Sequence, residues 1–311
     1  MSTPPNQPDP YGTQAGLPAC VRHAGRPTGL SCTRCGRPAC PECLVEAAVG
    51  FQCVDCVTEG SRTVRRPTTA AGAELASKPV LVPVLIAVNV AIFVLTVALA
   101  GDPVHNERSA FFHALTAYAP SIADGQLWRV LTSGFLHFGM IHILVNMVAL
   151  WFLRDIELLL GKVRFGLLYV LSLLGGSAAA YAFGDLGAEG AGASGAIYGL
   201  LGGLVVAVIR LKSDRHVLMT VIGVLALNLA ISVKIPEISL LAHLGGLFVG
   251  AAVTFGMVYA PPERRRRWQV GTVVLVTVAI IGLFVVRTPQ VAEVTFCVDP
   301  TTPECYRIIS R

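Results

Sequence analysis

The sequence is organised around the stretch GASGAIYG at residues 192–199, in which Ser194 stands among glycine and alanine. These small neighbours leave the hydroxyl group open to reaction, and the long run of Leu, Val, Gly and Ala that follows predicts an apolar helix. A second apolar stretch, AHLGGLFVG at residues 242–250, carries His243. An ionisable side chain inside a membrane costs free energy and faces the interior of the helix bundle, which indicates a function. We therefore expect Ser194 and His243 to face each other.

The composition indicates a polytopic membrane protein. Of the 311 residues, 54% are hydrophobic and only 14% are charged, whereas a soluble domain carries about 25% charged residues. Most of the apolar stretches are long enough to cross about 30 Å of hydrocarbon, although the second is so only when residues 137–140 are counted as helix. The stretches lie at residues 81–100, 141–153, 165–183, 194–211, 217–233, 239–259 and 270–286.

Basic residues fall in alternate loops between these stretches. The positive-inside rule therefore places the N-terminus and the basic loops in the cytoplasm, and the Ser194 end and the C-terminal tail outside the cell membrane. No signal peptide is visible, which agrees with a cytoplasmic N-terminus. The net charge of +5 is modest and forms no basic stripe, so nucleic acid is not an expected partner. The basic residues are Arg154, Lys162, Arg164, Arg210, Lys212, Arg215 and the four arginines at 264–267.

The N-terminal region carries four pairs of cysteine or histidine residues at a spacing that lets both members of a pair bind one tetrahedral zinc ion. Eight ligands predict two structural zinc ions, each with four ligands and no open position for catalysis. A disulfide cluster is the alternative, and a reducing cytoplasm disfavours it. The pairs are Cys20 with His23, Cys32 with Cys35, Cys40 with Cys43, and Cys53 with Cys56.

Two further motifs precede the serine. The stretch HFGMIHILVN at residues 137–146 opens an apolar segment, and Trp128-Arg129 lies just before it. Together with the serine and histidine stretches, these motifs resemble the rhomboid family of intramembrane serine proteases, in the family's order, over roughly residues 80–259. The resemblance implies an all-α polytopic membrane protein with a six-helix bundle, to which this chain adds a seventh C-terminal transmembrane helix and the small zinc-binding domain. It also implies that Trp128-Arg129 holds the first outer loop, whereas an interfacial anchor is the alternative on chemistry alone.

Peptide hydrolysis by a serine needs a base and hydrogen-bond donors for the oxyanion. Serine is a weak nucleophile at its free pKa, so His243 is predicted to be the base for Ser194. His142 and Asn146 share one helical face and, with the backbone N–H of Ser194, are the predicted oxyanion donors. Contacts between helices are the alternative role for this pair. No carboxylate lies in the apolar stretches at that depth, which predicts a Ser–His dyad.

Residues around the predicted dyad carry further expectations. Tyr198 lies one turn after the serine and is predicted to pack on the imidazole of His243, with plain core packing as the alternative. His137 is predicted to brace the first loop. Asp185 and Glu189, in the outer loop, are not expected to orient the imidazole.

Small residues predict where helices touch, and two remaining cysteines predict a cross-link. Glycine in the loop at residues 184–192 predicts freedom to move for substrate entry. Cys297 and Cys305 are the only cysteines outside the zinc cluster, and the outside placement of the tail predicts a disulfide between them.

Two stripes of small residues at every fourth position predict close contact between their helices. The stripes are Gly195, Gly199, Gly203 and Ala242, Gly246, Gly250.

The spacing of the zinc ligands resembles a B-box zinc finger. That resemblance implies a cross-braced arrangement, in which the first and third pairs share one ion and the second and fourth pairs share the other. The predicted organisation is a disordered tail at 1–19, the two-zinc domain at 20–58, a linker at 59–79, the six-helix core at 80–260, a basic loop and seventh helix at 261–287, and an outer tail at 288–311.

The leading hypothesis is an intramembrane serine endopeptidase that cuts transmembrane segments of membrane proteins near the outer face and uses no cofactor for catalysis. The alternative is a catalytically silent member of the same superfamily that binds or chaperones membrane proteins. Retention of both Ser194 and His243 favours the enzyme. The expected partners are membrane-protein substrates with a transmembrane helix, the lipid bilayer and an unidentified protein ligand of the zinc domain.

Overall fold

The structure is a computed structural model that describes residues 16–63, 67–235, 238–293, 295–297 and 305–307. Most of the predicted disordered tail, residues 1–15, therefore lies outside the described residues. Contacts divide the chain into two units, Met1–Arg66 and Pro67–Arg311.

The first unit is built around its cysteines rather than around aliphatic side chains. Two antiparallel hairpins are followed by one helix, and the buried core consists of six cysteines and Ala39. A unit this small cannot bury enough apolar surface to be stable from its hydrophobic core alone, and bound metal ions commonly stabilise such units. The elements are β1 (Ala19–Cys20), β2 (His23–Pro27), a 3-10 turn (Pro41–Cys43), β3 (Leu44–Glu46), β4 (Phe51–Cys53) and α1 (Val54–Thr63).

The second unit is a bundle of apolar helices. Within the part of the chain that the structure describes, five helices are long and apolar enough to cross a membrane, and a bent pair, Arg129–Phe135 with Gly139–Phe152, would make a sixth. The long helices are α2 (Leu81–Ala100), α6 (Gly139–Phe152), α8 (Lys162–Phe183), α9 (Ser194–Arg210), α10 (Arg215–Lys234), α11 (Leu240–Val258) and α12 (Arg265–Ala292). The shorter elements are α3 (Ala110–Leu115), β5 (Ala117–Tyr118), α4 (Ala119–Ala123), α5 (Arg129–Thr132), α7 (Asp155–Leu160), β6 (Glu189–Gly190), β7 (Thr295–Cys297) and β8 (Cys305–Arg307). Each predicted apolar stretch therefore overlaps one of these helices.

The predicted extension of the second stretch over residues 137–140 is right only for Gly139 and Met140, because α6 begins at Gly139. Phe138 is extended, and Gly139 has a positive φ of 68° that side chains rarely adopt. The N–H of Gly139 donates to Oδ1 of Asn106 at 2.8 Å. Asn106 is fully buried and also donates to the carbonyl of His137 at 2.9 Å. A side chain from the first loop thus sets the start of this helix.

The helices α8, α9 and α11 form the centre of the bundle, and α10 lies at its edge. In the most apolar part of each helix, 61% of α8 is buried within the structure, but only 6% of α10. Glycine lets α9 and α11 approach until their backbones touch: a Cβ at Gly250 would collide with the carbonyl of Gly199, and one at Gly246 with that of Gly195. The predicted contact between the two small-residue stripes is confirmed.

A buried carboxylate caps the N-terminus of α2. Glu157 of α7 accepts the backbone N–H groups of Val80, Leu81 and Val82 at 2.7, 2.9 and 2.9 Å. The first N–H groups of a helix have no partner within the helix and carry partial positive charge, which a carboxylate satisfies. Glu157 is 2% exposed. It therefore fixes where α2 enters the bundle.

A second polar contact attaches α12 to the bundle. The amide nitrogen of Gln269 donates to the carbonyls of Ala71 and Met257, both at 3.0 Å, and its oxygen accepts from Nε of Arg164 at 2.9 Å. One side chain thereby joins α12 to α8, α11 and the linker.

The C-terminal strands are described only by their backbone pairing. β7 and β8 pair antiparallel, with Cys297 directly opposite Cys305. The disulfide between them stays a prediction, and the intervening residues lie outside the described part of the chain.

Candidate active site and candidate metal centres

Ser194 is the first residue of α9 and is half-buried. Its neighbour Gly192 has a φ of +131° and donates its N–H to the carbonyl of Ser133 at 3.0 Å. A Cβ at Gly192 would lie 2.9 Å from Nε2 of His142 and 3.7 Å from Oγ of Ser194. The missing side chain at Gly192 therefore leaves a small space that the hydroxyl of Ser194 and the imidazole of His142 both border.

His243 lies one turn into α11 and is 5% exposed. The ring of Tyr198 stacks on its imidazole, with centroids 3.9 Å apart and planes 11° apart, so the predicted packing is confirmed. A Cβ at Gly195, the residue after Ser194, would lie 3.6 Å from the carbonyl oxygen of Ala242, the residue before His243. Ser194 of α9 and His243 of α11 therefore lie on adjacent turns of the two helices. Among the described residues, no hydrogen bond joins Oγ of Ser194 to the imidazole.

His142 and Asn146 lie on α6. The backbone N–H of Phe138 donates to Nδ1 of His142 at 3.3 Å. A neutral imidazole that accepts at Nδ1 carries its proton on Nε2, and Nε2 is the atom that borders the space beside Ser194. Asn146 is buried and donates one amide N–H to the carbonyl of His142 at 2.8 Å, which leaves the second N–H for another acceptor.

Arg129 holds the first loop together, as predicted. Its guanidinium donates to the carbonyl of His113 at 2.5 Å, to that of Thr116 at 3.0 Å and to the side chain of Gln126 at 2.7 Å. It is 8% exposed. Trp128 is half-exposed, and its indole N–H donates to the carbonyl of Ala114 at 3.4 Å, so both residues contact the first loop.

The glycine-rich loop before Ser194 is tied to the first loop. β5 pairs with β6, with Ala117 opposite Gly190, and the carboxylate of Glu189 lies 3.0 Å from Nδ1 of His113. Asp185 accepts the backbone N–H of Gly187 at 2.9 Å. Neither carboxylate contacts His243 in the structure, which agrees with the expectation for both. Movement of this loop for substrate entry stays a prediction.

Ser232 of α10, which the residue pattern did not predict, also borders His243. Its Oγ lies 2.8 Å from Nδ1 of His243 and 3.1 Å from the phenol oxygen of Tyr198, and it donates to the carbonyl of Asn228 at 2.9 Å. A lone serine in an apolar helix resembles any hydroxyl that bonds its own helix, so the sequence carries no signal for this contact.

His137 braces the loop through its backbone rather than its ring. Its carbonyl accepts from Asn106, whereas both ring nitrogens are buried without a partner among the described residues. The edge of the ring packs on His142, with centroids 5.2 Å apart.

The eight predicted metal ligands form two groups, and within each group all ligand atoms lie within 4.8 Å of one another. Each group can hold one metal ion. The grouping is the cross-braced arrangement implied by the B-box resemblance. The first group is Cys20, His23, Cys40 and Cys43, and the second is Cys32, Cys35, Cys53 and Cys56.

The distances within these groups fit a tetrahedral ion. Zn–S bonds of about 2.3 Å and Zn–N bonds of about 2.0 Å require ligand separations of about 3.8 Å for two sulfurs and about 3.5 Å for sulfur and nitrogen. Sγ of Cys35 and Cys53 are 3.8 Å apart, and Nδ1 of His23 lies 3.4 Å from Sγ of both Cys40 and Cys43.

The thiols of each group differ in their readiness to ionise. Hydrogen bonds from the backbone of Cys40 and of Cys53 lower the pKa of Cys20 and of Cys32, respectively, to about 6. Burial raises the pKa of Cys43 to about 11. A bound cation would displace the protons that the thiols of each group retain.

Comparison with known proteins gives consistent matches. The rhomboid domain family matches residues 124–260. RHOMBOID-like protein 1 of Arabidopsis thaliana is 30% identical over 213 residues, covering 59% of this chain and 54% of that protein. Rhomboid protease GluP of Bacillus subtilis (strain 168) is 31% identical over 215 residues, covering 67% of this chain and 40% of that protein. YdcA of the same bacterium is 35% identical over 145 residues, covering 45% of this chain and 72% of that protein. This chain spans about half the length of the first two relatives.

Proposed function

Because the chain belongs to the rhomboid family, we propose that it is an intramembrane serine endopeptidase that cuts transmembrane segments of other membrane proteins. One observation carries the proposal: the turn of α9 that holds Ser194 packs backbone to backbone on the turn of α11 that holds His243. A hydroxyl and an imidazole in that relation supply a nucleophile and its base.

The reaction proceeds through an acyl-enzyme. Nε2 of His243 takes the proton from Oγ of Ser194, and Oγ attacks the carbonyl carbon of the scissile bond. The imidazolium then gives the proton to the leaving amine, and a water molecule, activated by the same imidazole, releases the acyl group. Since Oγ and the imidazole are not hydrogen-bonded to each other, the serine closes this gap when substrate binds.

The space left by Gly192 receives the oxyanion. Nε2–H of His142 borders it, the second amide N–H of Asn146 lies one turn further along α6, and the backbone N–H of Ser194 opens α9. One such donor is worth about 10²–10³ in kcat. These positions support a role for His142 and Asn146 as oxyanion donors.

The site is placed near the outer face of the membrane by the basic loops, which assign the N-terminus to the cytoplasm and the C-terminus to the outside. A substrate carbonyl inside a transmembrane helix is hidden by its own hydrogen bond. The substrate must unwind locally before attack, which favours small or helix-breaking residues near the cut. The partners are thus the bilayer and membrane proteins with a transmembrane helix.

The first unit binds two structural zinc ions, one in each four-ligand group. All four ligands of each ion come from the protein, so neither ion has a place for substrate. Zinc organises this unit, and its partner would be a protein on the cytoplasmic side.

Cleavage by purified protein tests the proposal. Wild type and Ser194→Ala, reconstituted in lipid vesicles, are incubated with a panel of single-span membrane proteins, and the products are read by mass spectrometry. Wild type should cleave, and Ser194→Ala and His243→Ala should not. Asn146→Ala should lose about 10²–10³ in rate. Substrate binding without cleavage by wild type would instead favour the silent binder or chaperone.

A further inference from the structure

Ser232 is the one buried residue of α10, a helix whose other residues are exposed or half-buried. It is 4% exposed, and its Oγ makes three polar contacts at once, to Asn228, Tyr198 and His243. Two of these partners, Tyr198 and His243, belong to the site on α9 and α11. A hydroxyl that served only α10 would need the first contact alone.

Only one placement of protons satisfies all three contacts. A serine hydroxyl has one proton and two lone pairs. The carbonyl of Asn228 can only accept, so it takes the proton of Ser232 at 2.9 Å. The lone pairs of Ser232 then accept the phenol O–H of Tyr198 and the N–H at Nδ1 of His243.

This placement decides which nitrogen of His243 can act as a base. With its proton on Nδ1, a neutral imidazole has its lone pair on Nε2, and Nε2 is the atom that must receive the proton of Ser194. The opposite tautomer would set two lone pairs, on Nδ1 and on Ser232, against each other at 2.8 Å unless Ser232 released Asn228. Stacking on Tyr198 orients the plane of the ring but leaves the tautomer open.

We propose that Ser232 is a positioning residue that holds His243 in its Nδ1–H tautomer, in the place that a carboxylate occupies in a catalytic triad. The proposal rests on the proposed function for its effect on turnover, and on the hydrogen bonds alone for its effect on the tautomer. Because Ser232 belongs to α10, the base is aligned only while α10 is docked against α9 and α11.

The tautomer of His243 is measured directly. Protein labelled with 15N-histidine is reconstituted in lipid vesicles at mildly alkaline pH, and magic-angle-spinning NMR reads the protonation of each ring nitrogen; His243→Gln assigns the signal. Ser232→Thr and Ser232→Val have the same shape, but only threonine keeps the hydroxyl. Thr220→Ala is the matched control, because Thr220 is on the same helix and bonds only its own helix, at the carbonyl of His216.

Wild type, Ser232→Thr and Thr220→Ala should show the Nδ1–H tautomer, and Ser232→Val should show a mixture of the two tautomers. In Ser232→Val, kcat should also fall about three- to tenfold at unchanged KM, because one ordinary hydrogen bond is lost. An Nε2–H tautomer in wild type, an unchanged tautomer in Ser232→Val, or the same change in Thr220→Ala would overturn the proposal. A Ser232-dependent tautomer in a protein that cleaves no substrate would uphold the positioning role and reject the protease.

Discussion

Replacing Gly246 by alanine tests whether the approach of α9 and α11 sets the site. A Cβ at Gly246 would meet three backbone atoms of Gly195: its carbonyl oxygen, its carbonyl carbon at 2.8 Å and its Cα at 3.1 Å. Backbone atoms cannot rotate away as a side chain can. Since ordinary contact begins at 3.4 Å, the two helices must part by roughly 1 Å to admit one methyl group.

That displacement has two measurable consequences. Overpacking of a close-packed interior costs about 1–3 kcal/mol, so Gly246→Ala should lower the melting temperature. The displacement also lies between Ser194 and His243, and a misplacement of about 1 Å in an active site can cost about 10²-fold in rate. We expect kcat to fall by about that factor.

The comparison is made with Gly271→Ala on α12, where a Cβ meets nothing within 4 Å. Thermal unfolding followed by intrinsic fluorescence, and cleavage of a single-span substrate, are measured for both variants in the same vesicles. Gly271→Ala should match wild type in both. If Gly246→Ala matched it as well, the contact between the two helices would not set the geometry of the site.

Three further predictions concern other parts of the chain. Metal analysis of the purified full chain should find two zinc ions, and acid should release them, because protons compete for the thiolates; one ion or none would contradict this. Arg129→Ala should lower the free energy of unfolding by about 1.5–3 kcal/mol, because it leaves loop carbonyls without a charged donor. As a control, Arg108→Ala removes an exposed side chain and should leave the melting temperature unchanged. Cys297 and Cys305 should resist alkylation until they are reduced, and free thiols would count against the outside placement of the tail.

Residue pattern predicted the helices, because they follow from local periodicity. It also led us to expect that Ser194 and His243 face each other, because a polar group in a membrane is costly, and that pairing stays a prediction. The start of α6 was not predictable in that way. It depends on Asn106, which lies 33 residues before Gly139 and takes its N–H. No local propensity carries such a contact, so the apolar pattern ran on through residues 137 and 138.

The role of Ser232 was hidden for a different physical reason. Hydroxyls at Thr220, Thr272 and Ser232 all bond a carbonyl of their own helix, and the sequence does not distinguish them. Only the packing of α10 against α9 and α11 turns one of the three toward an imidazole. A carboxylate in that position would also stabilise the imidazolium, but a buried charge would cost far more in this environment. A neutral hydroxyl orients the ring without that cost, and this explains why the partner of His243 is not an acidic residue.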